Sequence, residues 1–451
     1  MTITAVILAA GQGTRMRSKL PKMLHPLMGR PLIQYALDAA GAATDQTPVV
    51  VVGHGAEQVR EAVGDAARFA LQDQQMGTAN AVQAAEGLLS GKTDLVLVIF
   101  ADMPLFRSET LRNLVAAQQE NTGPITMLTV IAENPRGFGR IIRGAGGEVE
   151  AIVEEAQATP EQLEIHELNA SVYCFDGEWL WKALRQVPVS PKGEYYLTDV
   201  VEIAVKEGFK IQAFTMEDPA EALGINNRVH LAEAEAILRQ RINHAWMEAG
   251  VTIIDPATTY IQSGVQIGQD TEIWPNTSLR GATRIGEDCV IGPNSILEDM
   301  QVGNHCKVLA SVLEKSVLED HVDIGPFGHL RKGAHLAEGV HMGNFGEVKD
   351  SHLGSGTKMG HFSYIGNAQI GSNVNIGAGT ITCNYDGEHK NLTEIGDNVF
   401  IGSDTMLVAP VKLGEGARTG AGAVITHDVN PGEVVIGVPA RPLTQKKEDD
   451  G

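Results

Sequence analysis

Val265–Asn294 reads, in groups of six, VQIGQD, TEIWPN, TSLRGA, TRIGED and CVIGPN. One large aliphatic residue recurs at the third place of each group, and the same spacing returns twice further along the chain. The aliphatic positions are Ile267, Ile273, Leu279, Ile285, Ile291 and Leu297, then Ile324, Leu330, Leu336, Met342 and Val348, and then Ile395, Ile401, Leu407, Leu413 and Ile425, with Thr419 as an exception. Neither the helical nor the strand period predicts this spacing. It predicts a triangular coil of short strands whose stacked turns share one core.

This periodicity resembles that of the hexapeptide-repeat transferases. The resemblance implies a left-handed parallel β-helix over residues 251–451. The hand comes from the resemblance alone, because right-handed crossovers are the physical default in parallel sheets. An inert structural solenoid is the alternative for this half of the chain.

Bulk composition excludes several classes of partner. With 451 residues, 43% of them hydrophobic and 20% charged, the chain is expected to form two or three soluble globular domains. A net charge of −21 argues against nucleic-acid or anionic-membrane partners, so anionic small molecules would need local cations and a divalent metal. The cysteines (Cys174, Cys289, Cys306 and Cys383) lack metal-binding spacing and indicate reduced thiols. The chain has neither a signal-peptide pattern nor an apolar run of membrane-spanning length, so we expect a cytoplasmic protein without membrane insertion.

Residues 1–227 alternate between strand and helix patterns. Strands are predicted at 3–10 (ITAVILAA), 49–52 and 95–100, and helices at 31–43, 56–66 and 77–90. This alternation predicts an α/β domain with a Rossmann-like, mostly parallel sheet. A long linker helix is predicted over 228–250, and at 1.5 Å per residue it would span roughly 30–35 Å.

A glycine loop with two cations follows the first strand. Leu8, Ala9, Ala10 and Gly11 lead into Arg15 and then Lys22. Glycines let backbone N–H groups approach phosphate oxygens, and the two cations are placed to hold a triphosphate. A tight strand-to-helix turn without ligand is the alternative.

The motifs LAAGQGTRM and LPKML resemble the opening of the sugar-1-phosphate nucleotidyltransferases. Joined to the coil, the chain resembles the family of bifunctional enzymes that combine an N-acetylglucosamine-1-phosphate uridyltransferase with a glucosamine-1-phosphate acetyltransferase. Such a family member acetylates glucosamine-1-phosphate from acetyl-CoA and then transfers UMP from UTP to the product, releasing pyrophosphate.

The resemblance assigns roles to residues in the N-terminal half. Asp102, just beyond the strand 95–100, and Asn226 would bind Mg²⁺, although a turn aspartate is the alternative for Asp102. Phe100-Ala101 and Asn169-Ala170-Ser171 depart from the usual family residues. Catalysis is assigned to Arg15 and Lys22, and the UTP and sugar contacts to Leu8, Ala9, Ala10, Gly11, Lys22, Gln72, Gly77, Thr78, Gly139, Glu154, Asn169 and Asn226. Among these, the resemblance implies that Gln72 and Gly77 read the uracil edge and that Gly139, Glu154 and Asn169 hold the sugar.

The coil contains a second cluster of polar residues. Residues 382–393 (TCNYDGEHKNLT) are too long for one side of the triangle and must form a loop, and His361 precedes them. A surface histidine is the alternative for His361. By resemblance, His361 is the general base of acetyl transfer. The glucosamine-1-phosphate contacts are Arg331, Lys349, Tyr364, Asn375 and Lys390, and those to acetyl-CoA are Ala378, Asn384, Tyr385, Ser403 and Ala421.

The family also implies a homotrimer with sites between neighbouring subunits. Gly437 stands where relatives carry an arginine for the coenzyme phosphates, so that contact would weaken or move to Arg418 or Arg441. Two rival functions remain: a monofunctional sugar-1-phosphate nucleotidyltransferase with a structural or regulatory coil, and a non-catalytic nucleotide-sensing scaffold. A rival mechanism for acetyl transfer makes Cys383 the acetyl-carrying nucleophile.

Overall fold

The structure is a computed structural model that describes residues 1–442. It divides into two compact units, Met1–Leu238 and Arg239–Gly451. The division lies within the helix Arg228–Glu248, in the region where the sequence predicts a linker helix.

The first unit is built on a nine-stranded sheet. Its strands are β1 Ile3–Leu8, β2 Val49–Val52, β3 Arg68–Leu71, β4 Leu95–Phe100, β5 Ile125–Ile131, β6 Arg140–Arg143, β7 Val149–Val153, β8 Glu167–Asp176 and β9 Gln212–Thr215. The order is β9-β5-β8-β4-β1-β2-β3, and all of these are parallel except β8. The pair β6 and β7 extends from β8. The predicted mostly parallel sheet is therefore present.

Helices cover the sheet. They are α1 Leu32–Gly41, α2 Ala56–Val63, α3 Thr78–Gln83, α4 Glu86–Leu89, α5 Ser108–Glu120, α6 Pro160–Leu163, α7 Gly177–Leu184, α8 Asp199–Lys206 and α9 Arg228–Glu248. Short 3₁₀ turns occur at Thr14–Met16, Lys22–Leu24, Gly64–Ala66, Glu155–Gln157 and Pro219–Ala222, and a small hairpin joins Pro26–Leu27 to Arg30–Pro31. Alternate residues of β1 pack into separate cores, Ala5 and Ile7 into one and Val6 and Leu8 into the other.

Several predicted helices and strands differ in extent from those of the structure. The single helix predicted over 77–90 is two short helices, because the N–H groups of Ala85 and Leu88 bond to carbonyls three residues earlier and tighten the backbone. The first strand ends at Leu8 instead of residue 10, although the N–H of Ala9 still donates to the Val51 carbonyl at 2.9 Å.

The second unit is a coil with three faces. Face one contains Thr252–Ile253, Glu272–Ile273, Val290–Ile291, Lys307–Val308, Asp323–Ile324, His341–Asn344, Lys358–His361, Asn375–Ile376, Phe400–Ile401, Arg418–Thr419, Val434–Gly437 and Ala440–Pro442. Face two contains Tyr260–Ile261, Ser278–Arg280, Ile296–Glu298, Val312–Glu314, His329–Leu330, Glu347–Lys349, Tyr364–Gly366, Ile381–Cys383, Met406–Val408 and Val424–Ile425. Face three contains Gln266–Ile267, Arg284–Ile285, Gln301–Val302, Val317–Leu318, His335–Leu336, His352–Leu353, Ala368–Ile370, Thr393–Ile395 and Val411–Leu413.

Each strand of the coil pairs in parallel with the strand one turn later, apart from the antiparallel Ala440–Pro442 at the end. Equivalent positions stand 18 residues apart where the hexads are regular, as in the bond from the Cys289 N–H to the Thr271 hydroxyl. All the predicted aliphatic positions are buried, and so is Thr419. The hexad prediction of the core is confirmed.

Between Leu297 and Leu318 the turns shorten to 16 residues, as between Ser295 and Ser311, which accounts for the break in the hexad pattern. Among residues 1–442, no helix is long and apolar enough to cross a bilayer.

Candidate functional site

A cavity of about 450 Å³ lies beyond the carboxyl ends of β1 and β4, where parallel α/β sheets bind ligands. Its lining includes the predicted residues Leu8, Ala10, Gly11, Arg15, Lys22, Gln72, Gly77, Thr78, Asp102 and Asn226. Ala9, also predicted there, packs its side chain into the core instead. Gln75, which was not among the predicted residues, also lines the cavity and donates from Nε2 to the Ala10 carbonyl at 2.7 Å.

Charged side chains converge at one end of this cavity. The Lys22 ammonium donates to Asp102 Oδ2 at 2.5 Å and to Asn226 Oδ1 at 3.0 Å. Arg15 donates from Nη2 to the same Asn226 oxygen at 2.9 Å. The backbone supports this arrangement, because the N–H of Ile225 donates to the Asp102 carbonyl at 2.8 Å. Residues far apart in sequence are therefore held together.

The oxygens of Asp102 and Asn226 fit a hard divalent cation. Both lie within hydrogen-bonding distance of one ammonium, so they can also approach one metal ion. Among residues 1–442, no group of three or more His, Cys, Asp or Glu side chains could hold a metal. A carboxylate and an amide oxygen form the sparse protein ligand set that is usual when Mg²⁺ keeps water and substrate phosphate as its other ligands.

The segment from Gly77 to Thr78 is fixed by backbone contacts with residues 195–197. Gly77 has a φ of 99°, and a Cβ there would lie 2.5 Å from the Tyr195 carbonyl oxygen, so only glycine fits. The Leu197 N–H donates to the Thr78 hydroxyl at 2.9 Å. Gln72 donates from Nε2 to the Gly77 carbonyl at 3.1 Å. These contacts give the predicted uracil-binding segment a defined shape.

The predicted sugar residues Gly139, Glu154 and Asn169 lie close together: Gly139 directly precedes β6, Glu154 directly follows β7, and Asn169 is in β8. The Asn169 N–H donates to the Gly139 carbonyl at 2.9 Å, and Gly139 lies against Val153. Glu154 accepts from the Thr198 hydroxyl at 3.1 Å. Residues 195–198 therefore link the predicted sugar-binding residues to the predicted uracil-binding segment at Gly77.

Two carboxyl groups in this region have raised pKa values. Burial raises the pKa of Glu154, against the opposing effect of the Thr198 hydrogen bond. Burial, followed by the negative charges of Glu202 and Glu154, raises the pKa of Asp199 to about 6. Both shifts indicate a poorly hydrated environment.

On the coil, the predicted base and three predicted coenzyme residues form one column. Each of them comes two residues after the inward-facing residue of a face-one strand, on successive turns of the coil. The four residues are His361, Ala378, Ser403 and Ala421, and the inward-facing residues before them are Met359, Ile376, Ile401 and Thr419. His361 Nδ1 lies 2.9 Å from Asn344 Oδ1, which is one turn earlier in that column. Asn344 was not among the predicted site residues, because the number of residues per turn varies along the coil.

The predicted sugar-phosphate residues lie mainly on face two and the inserted loop. Arg331 and Lys349 follow the paired residues Leu330 and Val348. The Lys390 ammonium, from the loop, lies beside Lys349 and lowers its pKa, and Arg331 acts in the same direction. Three cations therefore gather on an exposed surface, where Arg331 pairs with Glu347 at 3.0 Å and Lys349 with Asp350 at 3.8 Å.

Tyr364 and Asn375 occupy different faces. The Tyr364 ring lies across Gly366 so closely that a Cβ on Gly366 would overlap its hydroxyl. Asn375 is on face one, beside Lys358 and Phe400. Within one chain, these two predicted sugar contacts are thus not on the same surface.

The inserted loop is ordered by its own side chains. The N–H groups of Glu388 and His389 donate to Asp386 Oδ1 at 2.8 and 2.7 Å. Asn384 is buried and donates to Asn367 at 2.7 Å, whereas Tyr385 is exposed. The loop therefore presents Tyr385 and Lys390 from a fixed base.

Cys383 lacks the features of a nucleophile. Burial raises the pKa of its thiol, so the thiol remains protonated near neutral pH. The only hydrogen bond of the Cys383 thiol within the described residues is a long one, 4.0 Å, to the Ile381 carbonyl. This environment argues against the mechanism with a Cys383 acetyl intermediate.

The fold and the two clusters define a class of protein: a nucleotidyltransferase joined to a hexapeptide-repeat acyltransferase. Residues 5–164 match the family model of the MobA-like NTP transferase domain. Residues 264–299 and 392–427 match that of the bacterial transferase hexapeptide, which confirms the predicted left-handed β-helix.

Curated relatives extend the likeness to nearly the whole chain. The bifunctional protein GlmU of Heliobacterium modesticaldum is 46% identical over 96% of this chain and 95% of its own length. The GlmU proteins of Shouchella clausii (45% identical, 94% of both chains) and Enterococcus faecalis (46% identical, 91% and 90%) are similar to it in the same way. The chain belongs to the bifunctional GlmU family.

The protein is thus a bifunctional uridyltransferase and acetyltransferase of UDP-N-acetylglucosamine synthesis. Family membership also implies a divalent metal and acetyl-CoA. The comparisons give no support to the monofunctional alternative or to a non-catalytic scaffold.

Proposed function

We propose that uridyl transfer takes place in the cavity beyond β1 and β4. UTP would lie with its phosphates against the glycine loop, and its β- and γ-phosphates would accept from Arg15 and Lys22. The sugar of N-acetylglucosamine-1-phosphate would contact Gly139, Glu154 and Asn169. Its phosphate oxygen attacks the α-phosphorus of UTP, and pyrophosphate leaves. Because little covalent chemistry is left to the protein, catalysis rests on positioning and charge compensation.

In this proposal the metal is Mg²⁺, held by Asp102 and Asn226, and when bound it neutralises phosphate charge. The chain's own contribution is the cation pair of Arg15 and Lys22, which already surrounds the Asn226 oxygen at 2.9 and 3.0 Å. Lys22 would exchange its bonds to Asp102 and Asn226 for bonds to phosphate. Its low exposure, 8%, restricts where the ammonium can go.

For acetyl transfer, we propose that Arg331, Lys349 and Lys390 bind the phosphate of glucosamine-1-phosphate. The amine nitrogen attacks the thioester carbonyl, the C–S bond breaks, and the proton of the amine passes to His361. The Asn344 oxygen accepts from Nδ1, which leaves Nε2 as the basic nitrogen. Ala378, Ser403 and Ala421, beyond His361 in the same column, would line the acetyl-CoA groove with Asn384 and Tyr385.

The proposal for the coil rests on one observation: the ammonium groups of Lys349 and Lys390 lie next to each other. Two like charges side by side repel each other, and an anion between them would remove the repulsion. The phosphate of the sugar is such an anion. We further propose that the chain acts in the cytoplasm as a homotrimer, in which Asn375 of one copy would approach Tyr364 of another.

An omission assay tests both half-reactions. The protein is incubated with glucosamine-1-phosphate, acetyl-CoA, UTP and Mg²⁺, and each component is left out in turn. Free thiol should appear without UTP or Mg²⁺, whereas pyrophosphate should require all four components. Pyrophosphate release without acetyl-CoA would contradict the proposed order, and thiol release that needs Mg²⁺ would contradict the assignment of the metal.

A further inference from the structure

A fully buried tyrosine hydroxyl lies next to Asn169, one of the proposed sugar-binding residues. Tyr173, on β8, is 1% exposed and its ring stacks on Phe175 at 5.4 Å. A phenol in a core needs a hydrogen-bond partner for its hydroxyl. That partner is Asn169, whose Nδ2 donates to the Tyr173 oxygen at 2.7 Å.

The Asn169 amide is held at both ends. Its Oδ1 accepts from the Ser171 N–H at 3.0 Å, while its Nδ2 donates to Tyr173. Ser171 has a φ of 60°, and β8 changes register between Asn169 and Tyr173 where it pairs with β5. This bulge brings the two side chains together, which an unbroken strand would not do for residues four apart. One N–H of the amide has no other partner within residues 1–442.

We propose that Tyr173 is a positioning residue for the sugar phosphate: it fixes the Asn169 amide so that one N–H is available to an acceptor oxygen of the sugar. The inference rests on the proposed assignment of Asn169 to the sugar site. Burial above all, and then the charge of Glu154, raise the pKa of Tyr173, so its hydroxyl stays protonated under working conditions. The ring cannot rotate away, because Val98 and Met127 flank it on the neighbouring strands.

Removing the Tyr173 hydroxyl should free the Asn169 amide to rotate without leaving a cavity in the core. Tyr173→Phe keeps the ring but leaves the Asn169 N–H without its partner. Loss of one neutral hydrogen bond is worth about 1 kcal/mol, so we expect the KM for N-acetylglucosamine-1-phosphate to rise about fivefold. The KM for UTP should change less than twofold, and acetyl transfer by the same preparation should be unchanged.

Three further variants complete the experiment. Tyr35→Phe is the matched control, because the Tyr35 hydroxyl also makes a 2.7 Å bond, to the Leu27 carbonyl in the same unit. It should leave both KM values unchanged. Asn169→Ala should raise the KM for the sugar phosphate by more than Tyr173→Phe does. Tyr173→Phe should add nothing in the Asn169→Ala background, since it acts through that amide.

The results distinguish failure of the positioning role of Tyr173 from failure of the sugar-site assignment. If Asn169→Ala raises the KM for the sugar phosphate and Tyr173→Phe does not, Tyr173 has no positioning role and the sugar site stands. If Asn169→Ala leaves that KM unchanged, the sugar assignment fails and the inference fails with it. Equal losses for UTP and sugar phosphate, or additive effects in the double variant, would make Tyr173 a general structural residue and overturn the inference.

Discussion

Lys22 shows how a single cation can be held in place before any substrate arrives. Its stem is buried, and its ammonium bonds to Asp102 and Asn226, which come from distant parts of the chain. In a protein with a net charge of −21, such local pairs make a phosphate site possible. The sequence predicted that these residues share a site, but not that Lys22 bonds to both predicted metal ligands.

Asp102→Ala tests the metal assignment. The change removes the carboxylate that bonds to Lys22, and with it one of the two proposed metal ligands. We expect uridyl transfer to fall by more than tenfold at modest Mg²⁺, while acetyl transfer stays within twofold. Asp102→Asn is the size-matched control and should recover part of the loss at high Mg²⁺. A variant with unaltered uridyl transfer would exclude Asp102 as a ligand.

Asp199→Asn tests the raised carboxyl pKa. The pKa of Asp199 is about 6 in the folded protein, against 3.8 for an unperturbed aspartate. Between these values the unfolded state loses its proton first, so ionisation of Asp199 lowers stability as pH rises from about 4 to 6, and the loss persists above 6. We expect Asp199→Asn to raise the melting temperature at pH 7.5, relative to wild type, more than it does at pH 4.5.

Calorimetry of the intact chain measures the melting temperature. The transition that UTP shifts belongs to the first unit, which contains Asp199. Glu202→Gln is a useful companion variant, since the Glu202 charge contributes to the pKa of Asp199. An equal effect of Asp199→Asn at both pH values would contradict the pKa shift.

At the scale of elements, the coil was the most predictable part of the chain. One aliphatic residue in six identifies the axis, and the break at 382–393 identifies the loop, because both follow from local spacing. Hydrogen-bond partners on adjacent turns of the coil were harder to predict, since turns of 16, 17 and 18 residues alternate irregularly. Asn344 was therefore missed, and the bulge that joins Tyr173 to Asn169 gave no signal in the pattern.

The inserted loop lengthens one turn. Ser372 bonds to Asp397, which is 25 residues away, where regular turns have 18. Deleting Tyr385–Asn391 should restore the regular spacing and leave the stacked core intact, because no residue of that segment is in the core. We expect acetyl transfer to fall more than 100-fold with an unchanged circular dichroism spectrum and unchanged uridyl transfer. Retained acetyl transfer would remove Lys390 and Tyr385 from the site.

At the scale of the molecule, each unit has its own core, and the coil depends on contacts between adjacent turns. The limits 1–227, 228–250 and 251–451 remain our proposal for the domains. A fragment of residues 228–451 should then fold, sediment as a trimer and acetylate glucosamine-1-phosphate at a rate near that of the whole chain. A fragment that is unfolded or monomeric would contradict independent domains.

One chain carries two chemistries at two sets of residues, and the variant His361→Ala should separate them. Both half-reactions are measured on one preparation, the second with supplied N-acetylglucosamine-1-phosphate. Removal of a general base costs about 10²–10⁴-fold, so the kcat of acetyl transfer should fall by that amount with little change in acetyl-CoA binding, while uridyl transfer stays unchanged. A loss below tenfold, or an equal loss in both reactions, would contradict the account.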